Sequence, residues 1–368
     1  MSKITYIFSS GRLSKIESKN IEALDFFYGY FYFKNKGYQL EIIEFSKANK
    51  VLYFFDKLIN KFISLPFNTS QLTNFKNFQQ IRNTDHLVLV NEKVFCSSFF
   101  LLIFLKLFNR KATVSVFIMG LYSKHIKYKF FKSLHFLLIK ALYMLTDSLI
   151  FLGEGEYNKA NSLHLNSKKL YLLPFAVDTN FWKSDYVYDA KKRDGILFIG
   201  NDGNRDYELL KEIVIENKNL NFSIVSNNPT FSSLELSNLN FIKGSWSEEV
   251  LSDLQIKKFY DSTRLVILPL KESLQPSGQS VCLQALNCGV PVAITDTEGF
   301  WDKDSYIDNV NIFLIKGHSM SDWARVFEDL YFDFNKLDKI SKQAKATVLE
   351  SSNYQKFCDT IFDIVTKK

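Results

Sequence analysis

Short apolar runs alternate along the chain with longer segments in which apolar residues recur at helical spacing. Runs of four to eight such residues are typical of strands buried in a parallel sheet. Strands are predicted at residues 4–8, 38–45, 86–90, 113–118, 148–152, 195–200, 222–225, 239–242, 265–268, 290–294 and 309–315. Helices are predicted at residues 21–36, 51–63, 122–146, 251–262, 279–287, 322–330, 337–349 and 354–365. This alternation predicts an α/β fold in which crossover helices cover parallel sheets.

Length, composition and charge narrow the class of protein. The 368 residues are enough for two domains, and a hydrophobic content of 46% with 23% charged residues is that of an ordinary globular protein. The net charge of +7 favours anionic partners, which include nucleotides, anionic lipids and nucleic acid. The four cysteines form no CxxC pair, so neither a zinc site nor a disulfide framework is predicted.

No segment is apolar enough to predict a membrane span. The most apolar stretch, residues 95–108, is interrupted by two serines and a lysine. It falls short of the roughly 20 apolar residues that a spanning helix needs. A cytoplasmic location is predicted, with peripheral association with the inner face of the cell membrane left open.

Residues 264–299 contain the strongest local signal. A buried strand ends at Pro269, and a polar loop with Pro276, Ser277 and Gly278 follows it. A helix is predicted next, and Gly289 ends it in the manner of a C′ glycine. A loop–helix junction at the carboxyl end of a parallel strand is where open α/β sheets bind ligands, and its free amides favour phosphate.

The loop after the strand at 195–200 has a similar arrangement. Gly200 ends the strand, and the polar loop 201–207 leads into a helix from Glu208. Neither a GxGxxG nor a P-loop lysine motif is present, so dinucleotide and P-loop readings are weak. The arrangement predicts that the loop binds an anion through its amides.

Residues 122–146 have two interpretations. Five lysines punctuate an apolar and aromatic helix in this segment, at positions 124, 127, 129, 132 and 140. One interpretation is attachment to an anionic membrane surface, where each lysine contributes about 1 kcal/mol. The other is a half-buried domain helix with a solvated lysine face, and periodicity alone does not separate the two.

The stretch PSGQSVCLQALNCGVPVAITDTEG, residues 276–299, resembles the nucleotide-sugar motif of retaining GT-B glycosyltransferases of the family-4 (group 1) type. The tail from Ala285 to Val292 matches the usual Ala-Met-Ala-x-Gly-x-Pro-Val pattern. The two acidic positions of that motif differ, because they fall on Pro276 and Gln284. A second match lies at residues 174–181, which end in an aromatic residue as the family's segment does.

The resemblance implies two Rossmann-like domains facing a cleft. An acceptor-binding domain is expected at residues 1–180 and a nucleotide-sugar-binding domain at 181–353. The helix at 354–368 is expected to cross back to the first domain. The implied activity is transfer of a sugar, with retention, from a nucleotide sugar to a glycan or lipid-linked acceptor in surface polysaccharide synthesis. Such enzymes generally work without a bound metal, so no metal and no cofactor is predicted.

The resemblance also suggests which residues act. Arg205 matches a lysine or arginine position that contacts the donor diphosphate, and Lys271 and Glu272 are the other catalytic candidates. Each of these three has an alternative reading as a surface charge. Gln284 occupies the position of the glutamate that holds the ribose, or is a partly buried helix glutamine. The candidate donor-binding residues are Gly200, Asn204, Arg205, Ser277, Gly278, Gln279, Ser280 and Gln284.

Candidate acceptor residues follow the fourth strand. Gly120 and His125 occupy that neighbourhood, and His125, which lies among lysines, is also read as a solvated surface residue. Two other functions stay open: a non-catalytic protein of the same fold that binds nucleotide sugar or glycan as a scaffold, and a nucleic-acid-binding protein. The scaffold hypothesis rests on the changed acidic positions. Only the net charge suggests the last, and no nucleic-acid motif supports it.

Overall fold

The computed structural model describes residues 2–19, 21–163, 167–244 and 251–367. The chain divides into two compact units. The first unit consists of Met1–Leu173 with Phe357–Lys368, and the second consists of Pro174–Lys356. The boundaries expected from the sequence, after residues 180 and 353, lie a few residues from these divisions. The segments 164–166 and 245–250 are outside the described residues, and the predicted helix at 251–262 begins beside the second of them.

A parallel sheet forms the centre of the first unit. Its described strands follow the order β2-β1-β3-β4-β5-β6, and all neighbours run parallel. The chain order reverses between β1 and β3, which is the switch point where sheets of this type bind ligands. The strands are β1 (Lys3–Phe8), β2 (Gln39–Glu44), β3 (His86–Leu89), β4 (Thr113–Ile118), β5 (Ser148–Phe151) and β6 (Leu170–Leu172).

Helices cover both faces of this sheet. They are α1 (Arg12–Glu17), α2 (Tyr30–Asn35), α3 (Lys50–Ile63), α4 (Thr69–Leu72), α5 (Phe75–Arg82), α6 (Glu92–Ser97), α7 (Phe99–Phe108), α8 (Lys132–Met144), α9 (Glu154–Leu163) and the C-terminal α16 (Tyr354–Thr366). Most of α16 belongs to the first unit. Ile361 is fully buried, and the ring of Phe362 lies 5.6 Å from that of Phe33 on α2. Tyr32 donates a hydrogen bond to Asp359 over 2.5 Å.

The second unit also has a parallel sheet, with the order β12-β11-β10-β7-β8-β9 among its described strands. This is the doubly wound Rossmann order, and its switch point lies between β7 and β10. Every residue of β7, β10 and β11 is buried, which explains why their sequences are continuous apolar runs. The strands are β7 (Ile196–Ile199), β8 (Phe222–Ser226), β9 (Leu239–Lys243), β10 (Leu265–Leu268), β11 (Val292–Thr295) and β12 (Phe313–Ile315).

The helices of the second unit begin and end at the signals that the sequence carries. Asp206 accepts a hydrogen bond from the amide of Leu209 at the start of α10, and Ser252 forms a capping box with Gln255 at the start of α12. The helices are α10 (Tyr207–Glu216), α11 (Pro229–Ser232), α12 (Asp253–Ser262), α13 (Gln279–Asn287), α14 (Met320–Glu328) and α15 (Phe334–Ser351). The α/β fold and the strand positions predicted from the sequence are confirmed to within a few residues.

Two predicted helices are wrong in part. Residues 21–36 do not form one helix, because Tyr28 and Gly29 adopt left-handed backbone conformations with φ of 48° and 81°. A short 3₁₀ turn precedes them and only α2 follows. The helix predicted from residue 122 begins only at Lys132, and the amides of Tyr122 and Ser123 donate to the buried side chain of Glu156. Lys124 and Lys127 therefore lie on a loop.

The polar composition of residues 186–194 is typical of a linker, but two residues of the segment pack into the second unit. Tyr188 is buried in the second unit, and its hydroxyl donates to the carbonyl of Arg264 over 2.7 Å. The amide of Ala190 donates to Asp338 on α15. These two contacts fix the segment to the second unit.

Candidate donor-binding site

The candidate site lies at the carboxyl ends of β7 and β10. These two strands are neighbours in the sheet, with Ile196 opposite Leu265. Because the chain order reverses between them, their carboxyl ends form the switch point at which sheets of this type bind ligands. The loop after β7 contains Gly200 to Asp206, and the loop after β10 runs from Pro269 to Gly278. The sequence predicted both loops to bind anions.

Hydrogen bonds join the two loops into one structure. The side-chain amide of Asn204 donates to the hydroxyl of Ser277 over 2.8 Å. The amide of Lys271 donates to the carbonyl of Asn204, and the amide of Asp206 donates to the carbonyl of Pro269. The backbone of Arg205 thereby pairs with that of Leu270 in a single antiparallel bridge.

Arg205 is held between two glycines. Its side chain is buried, with 3% of its surface exposed, and it crosses the position that a Cβ atom on Gly200 would occupy. Its Nη1 atom lies 3.4 Å from the position of a Cβ on Gly278. A side chain at position 200 would therefore exclude the Arg205 side chain from this place.

The guanidinium of Arg205 is short of acceptors. Within the described chain, its Nε and Nη1 atoms are buried and have no hydrogen-bond partner. Asp202 approaches Nη1 to 3.1 Å, which is an ion-pair distance, but the two groups are not aligned for a hydrogen bond. A buried donor without an acceptor costs about 1–3 kcal/mol. An anionic ligand at this point would remove that cost.

The N-terminus of α13 faces the same region. Gly278 precedes the helix with a left-handed φ of 79°, a conformation that favours glycine. The first amides of a helix have no intrahelical acceptors, and the helix dipole makes this end attractive to anions. Because Nη1 of Arg205 lies beside Gly278, one phosphate group can contact the arginine and the helix amides together. Ser277 and Gln279 are buried here, and Ser280 is partly exposed.

Glu272 lies at the edge of this site with a defined orientation. Its Oε1 atom accepts hydrogen bonds from the amides of Ser273 and Glu298, over 3.0 and 2.8 Å. Its Oε2 atom lies 3.5 Å from Nε2 of His318. Lys271 is exposed. The sequence identified Glu272 but not His318, because His318 is distant in the chain and belongs to no motif.

Gln284 lies in the core of the second unit. It has no exposed surface, and its side-chain carbonyl accepts a hydrogen bond from Tyr260 on α12 over 3.3 Å. Its contact with a ribose stays a prediction. The hydroxyl of Tyr260 also lies within reach of the carbonyl of Val281.

The candidate acceptor residues Gly120 and His125 lie in the first unit, after β4. Gly120 has a φ of 144°, and its carbonyl accepts a hydrogen bond from Ser123, while His125 is exposed. The loop between them rests on Glu156, whose fully buried carboxylate bonds to the amides of Tyr122 and Ser123. Burial raises the pKa of Glu156 to about 8. The sequence shows Glu156 only as an acidic residue in the first turn of a helix.

Neither a metal cluster nor a membrane span occurs in the described part of the chain. No group of three or more His, Cys, Asp or Glu side chains there is arranged to hold a metal ion. In the same ranges, no helix is both long and apolar enough to cross a bilayer.

Comparison with known proteins shows the fold. No family model matches the chain. A D-inositol 3-phosphate glycosyltransferase of Paenarthrobacter aurescens (strain TC1) is 32% identical over 102 residues, which are 28% of this chain and 24% of that protein. The chain thus matches about a quarter of the length of this curated relative.

Solved structures match over the whole chain. Anabaena HepE in complex with UDP-glucose has a TM-score of 0.66 at 12% identity, with 100% of both chains covered. Sucrose-phosphate synthase of Thermosynechococcus elongatus has a TM-score of 0.67 at 12% identity, covering 99% of this chain and 98% of its own. A glycosyltransferase of Rickettsia africae ESF-5 has a TM-score of 0.65 at 13% identity, covering 100% and 99%. With its two Rossmann-like sheets, the chain has the GT-B fold.

Proposed function

We propose that the protein is a glycosyltransferase that binds the diphosphate of a nucleotide sugar between Arg205 and the N-terminus of α13. The observation that carries this proposal is the buried guanidinium of Arg205, two of whose nitrogens have no hydrogen-bond partner within the described chain. A diphosphate supplies both the negative charge and the acceptor oxygens that this group needs. The GT-B fold and the name of the curated relative support the same activity.

The arrangement suits departure of a nucleoside diphosphate. Transfer of a sugar passes through an oxocarbenium-like transition state, in which negative charge develops on the leaving phosphate oxygen. Arg205 and the first amides of α13 are already in place to stabilise that charge, so little reorganisation is required. Lys271 is exposed and close in sequence, and it adds positive charge when the ligand is bound. Glu272 is proposed to contact the sugar.

The finer features of the reaction rest on the resemblance of residues 276–299. They are retention of the anomeric configuration, a glycan or lipid-linked acceptor, a role in surface polysaccharide synthesis and the absence of a metal. Gly120 and His125 are the proposed acceptor residues of the first unit. Product analysis of the anomeric configuration by NMR tests the first of these features directly.

Calorimetric titration with UDP, GDP, ADP and CMP tests the donor site. We expect one nucleotide to bind, and Arg205→Ala to weaken it about tenfold or more, since a charge-assisted hydrogen bond contributes about 1.5–3 kcal/mol. Lys218→Ala is the matched control. It also removes one positive charge from the second unit, but Lys218 is exposed and precedes β8, at the opposite end of the sheet. Absence of binding, or equal binding by wild type and Arg205→Ala, contradicts the proposal.

We also propose that the first unit attaches to an anionic membrane surface. Large apolar side chains are exposed on α3 and around α8, including Phe54 at 60%, Phe55 at 54% and Phe130 at 91%. Lysines accompany them on both elements, at positions 50, 57, 61, 129, 132 and 140. Exposed aromatic rings beside lysines match the chemistry of anionic headgroups.

Vesicle flotation tests the attachment. We expect binding to vesicles that contain phosphatidylglycerol and none to pure phosphatidylcholine. The triple variant F54S/F55S/F130S should lose this binding, whereas Phe75→Ser, which removes a 76% exposed phenylalanine on α5, should keep it. Equal flotation of the triple variant and wild type would leave the aromatic rings without a role in attachment.

One observation favours a non-catalytic scaffold as the second candidate. Gln284 replaces an acidic residue of the resembling motif, and it is buried against Tyr260 rather than exposed to a ligand. A scaffold would bind nucleotide sugar without turnover. Release of UDP from UDP-glucose by the purified protein, measured with and without added acceptor, would exclude this candidate.

A further inference from the structure

A cavity of about 280 Å³ lies in the second unit, away from the candidate donor site. Residues 183–188 line one side, residues of α15 line the other, and Cys288 and Gly289 after α13 form part of the wall. Because β10 and β11 run parallel, α13 returns from the carboxyl end of β10 to the amino end of β11. The last turn of α13, and the cavity beside it, therefore lie at the opposite end of the sheet from Arg205.

Positive charge predominates in this cavity. Three of the side chains that line it are lysines, Lys183, Lys342 and Lys345, and Asp185 is the one carboxylate among its lining residues. Within the described ranges, none of the three ammonium groups forms a salt bridge or a hydrogen bond. Lys342 and Lys345 are three residues apart on α15, so their charges repel each other. An anion in the cavity would offset this repulsion.

Capping of α13 does not account for these lysines. Positive side chains often interact with the carbonyl groups at the end of a helix. Here the carbonyls of Ala285 and Leu286 accept hydrogen bonds from the amides of Val290 and Gly289, over 2.9 and 3.0 Å. Since backbone amides satisfy these carbonyls, the lysines are available to a ligand.

Ser341 adds a hydroxyl group to the cavity. It is buried on α15, and within the described chain its side chain forms no hydrogen bond. A serine inside a helix commonly bonds to the carbonyl four residues before it, so an unused hydroxyl at this place is notable. Its Oγ atom lies 3.3 Å from the position of a Cβ on Gly289. A side chain at position 289 would therefore crowd this hydroxyl, which can donate to a phosphate oxygen.

Apolar surface accompanies the positive charge. Tyr186 and Val187 line the cavity and are both exposed. A ligand with a phosphate group and a carbon skeleton would contact the lysines and this apolar surface together. The volume of about 280 Å³ is close to the lower end of the range for small-molecule sites, about 300 Å³.

We propose that this cavity binds a phosphate ester, with the phosphate group between Lys342, Lys345 and Ser341 and the carbon skeleton against Tyr186. Ammonium and hydroxyl groups are the donors that phosphate oxygens accept from most strongly in such a site. The inference does not depend on the proposed function, because it concerns the opposite end of the sheet. A soluble ester and a lipid headgroup share this chemistry, and the experiment separates them.

Calorimetric titration with glycerol 3-phosphate at low ionic strength tests the proposal. The Arg205→Ala variant serves as the background throughout, so that the candidate donor site cannot contribute. We expect this variant to bind glycerol 3-phosphate. Adding Lys342→Gln and Lys345→Gln should weaken binding about tenfold, since each exposed ion pair contributes up to about 1 kcal/mol.

The matched control replaces two other lysines of the second unit. Lys218 and Lys258 are exposed and do not line the cavity. Lys218→Gln with Lys258→Gln removes the same charge and should leave the affinity for glycerol 3-phosphate unchanged.

Two single variants probe the cavity itself. Ser341→Ala should weaken binding about threefold, as the loss of one hydrogen bond implies. Asp185→Asn should strengthen binding about twofold, because the carboxylate repels the phosphate group.

Flotation of the full chain with vesicles that contain phosphatidic acid identifies the source of the ester. Weaker flotation of the Lys342→Gln/Lys345→Gln pair than of the control pair supports a lipid headgroup. Equal flotation of the two pairs, together with the expected calorimetric difference, supports a soluble ester.

The proposal is overturned if the two lysine pairs differ neither in calorimetry nor in flotation. It is also overturned if glycerol 3-phosphate binds to wild type but not to Arg205→Ala and the two pairs float equally, because the ester then occupies the donor site. Failure of the nucleotides to bind is a separate result, which contradicts the proposed function and leaves these comparisons intact.

Discussion

The side-chain amide of Asn204 donates a hydrogen bond to the hydroxyl of Ser277 over 2.8 Å. This bond connects the loop after β7 to the residue that precedes Gly278 at the start of α13. Arg205 belongs to the first loop, its backbone is bridged to Leu270 of the second, and its side chain reaches Gly278. The diphosphate site is thus a product of pairing between loops about 70 residues apart in sequence.

Breaking this bond should weaken both stability and binding. We expect Asn204→Ala and Ser277→Ala each to lower the free energy of unfolding by about 1 kcal/mol, since a buried hydrogen bond of this kind contributes 0.5–1.5 kcal/mol. Each should also weaken nucleotide binding, because the two loops that surround the Arg205 side chain are then held together less firmly. Denaturant unfolding of the two single variants and the double variant gives the coupling energy. Strictly additive effects would show that the bond does not form.

A methyl group at position 200 should displace Arg205. A Cβ atom there would lie 2.9 Å from Cγ and Cδ of Arg205 and closer still to Nε. The side chain of Arg205 must therefore move from its present position. We expect Gly200→Ala to weaken nucleotide binding about tenfold, with a stability loss of about 1 kcal/mol from the clash.

Gly203→Ala is the matched control for this prediction. Gly203 lies on the same loop, and a Cβ atom there would meet nothing within 4 Å. This variant should bind as wild type does in the same calorimetric titration. If both alanine variants bind equally well, the slot between Gly200 and Gly278 does not hold the arginine that contacts the ligand.

Removing the charge of Asp202 should strengthen nucleotide binding. Its Oδ2 atom lies 3.1 Å from Nη1 of Arg205 and opposes the approach of a diphosphate. Asparagine keeps the oxygen that accepts the amide of Asn204, so the loop should not change. We expect Asp202→Asn to bind the nucleotide about threefold more tightly at low salt, with less gain at high salt because ions screen the interaction.

Asp304→Asn provides the comparison for this charge change. Asp304 is an exposed aspartate of the second unit, and its substitution makes the same change in net charge. If both variants bind the nucleotide more tightly by the same factor, the cause is the net charge of the protein and not the position of Asp202. If Asp202→Asn binds the nucleotide more weakly than wild type, Asp202 orients Arg205 instead.

Much of the fold was predictable because parallel strands have a simple sequence signature. β10 is buried along its whole length, so its four residues are all apolar and end at Pro269. The bounds of α13 follow from the glycines on either side of it, Gly278 and Gly289. These signals are local, and a single sequence is sufficient to find them.

Other features depend on contacts that no local pattern records. The segment before α8 is held by Glu156, more than thirty residues away in sequence, which accepts hydrogen bonds from the amides of Tyr122 and Ser123. The break at Tyr28 and Gly29 depends on backbone conformations that apolar spacing does not reveal.

The candidate site was predictable in part for the same reason. Gly278 follows from the loop–helix arrangement and Arg205 from the resemblance to a known family, whereas the burial of Arg205 over Gly200 appears only in the folded unit. His318 carries no sequence signal, because its partners Leu270 and Glu272 lie some 46 to 48 residues before it. For Gln284 the sequence signal was present, because the residue occupies a motif position. In the structure, however, it lies in the core and accepts a hydrogen bond from Tyr260.

The buried carboxyl group of Glu156 should make the stability of the first unit depend on pH. Burial, and secondarily the charge of Glu92, raise its pKa from 4.5 to about 8, while the amides of Tyr122 and Ser123 oppose the rise. Between these two values the folded protein retains a proton that the unfolded chain releases. The free energy of unfolding therefore falls as the pH rises through this window, by an amount on the order of a few kcal/mol.

Glu156→Gln should remove this dependence, because glutamine keeps the oxygen that accepts both amides and does not titrate. We expect the melting temperature of wild type to fall between about pH 5 and about pH 8 by several degrees more than that of the variant. Glu154→Gln, a change in the same turn of α9, should melt as wild type does. If the wild-type and Glu156→Gln melting curves shift in parallel with pH, Glu156 does not bind a proton in the folded state, and its carboxylate is stabilised as an ion by the loop after β4.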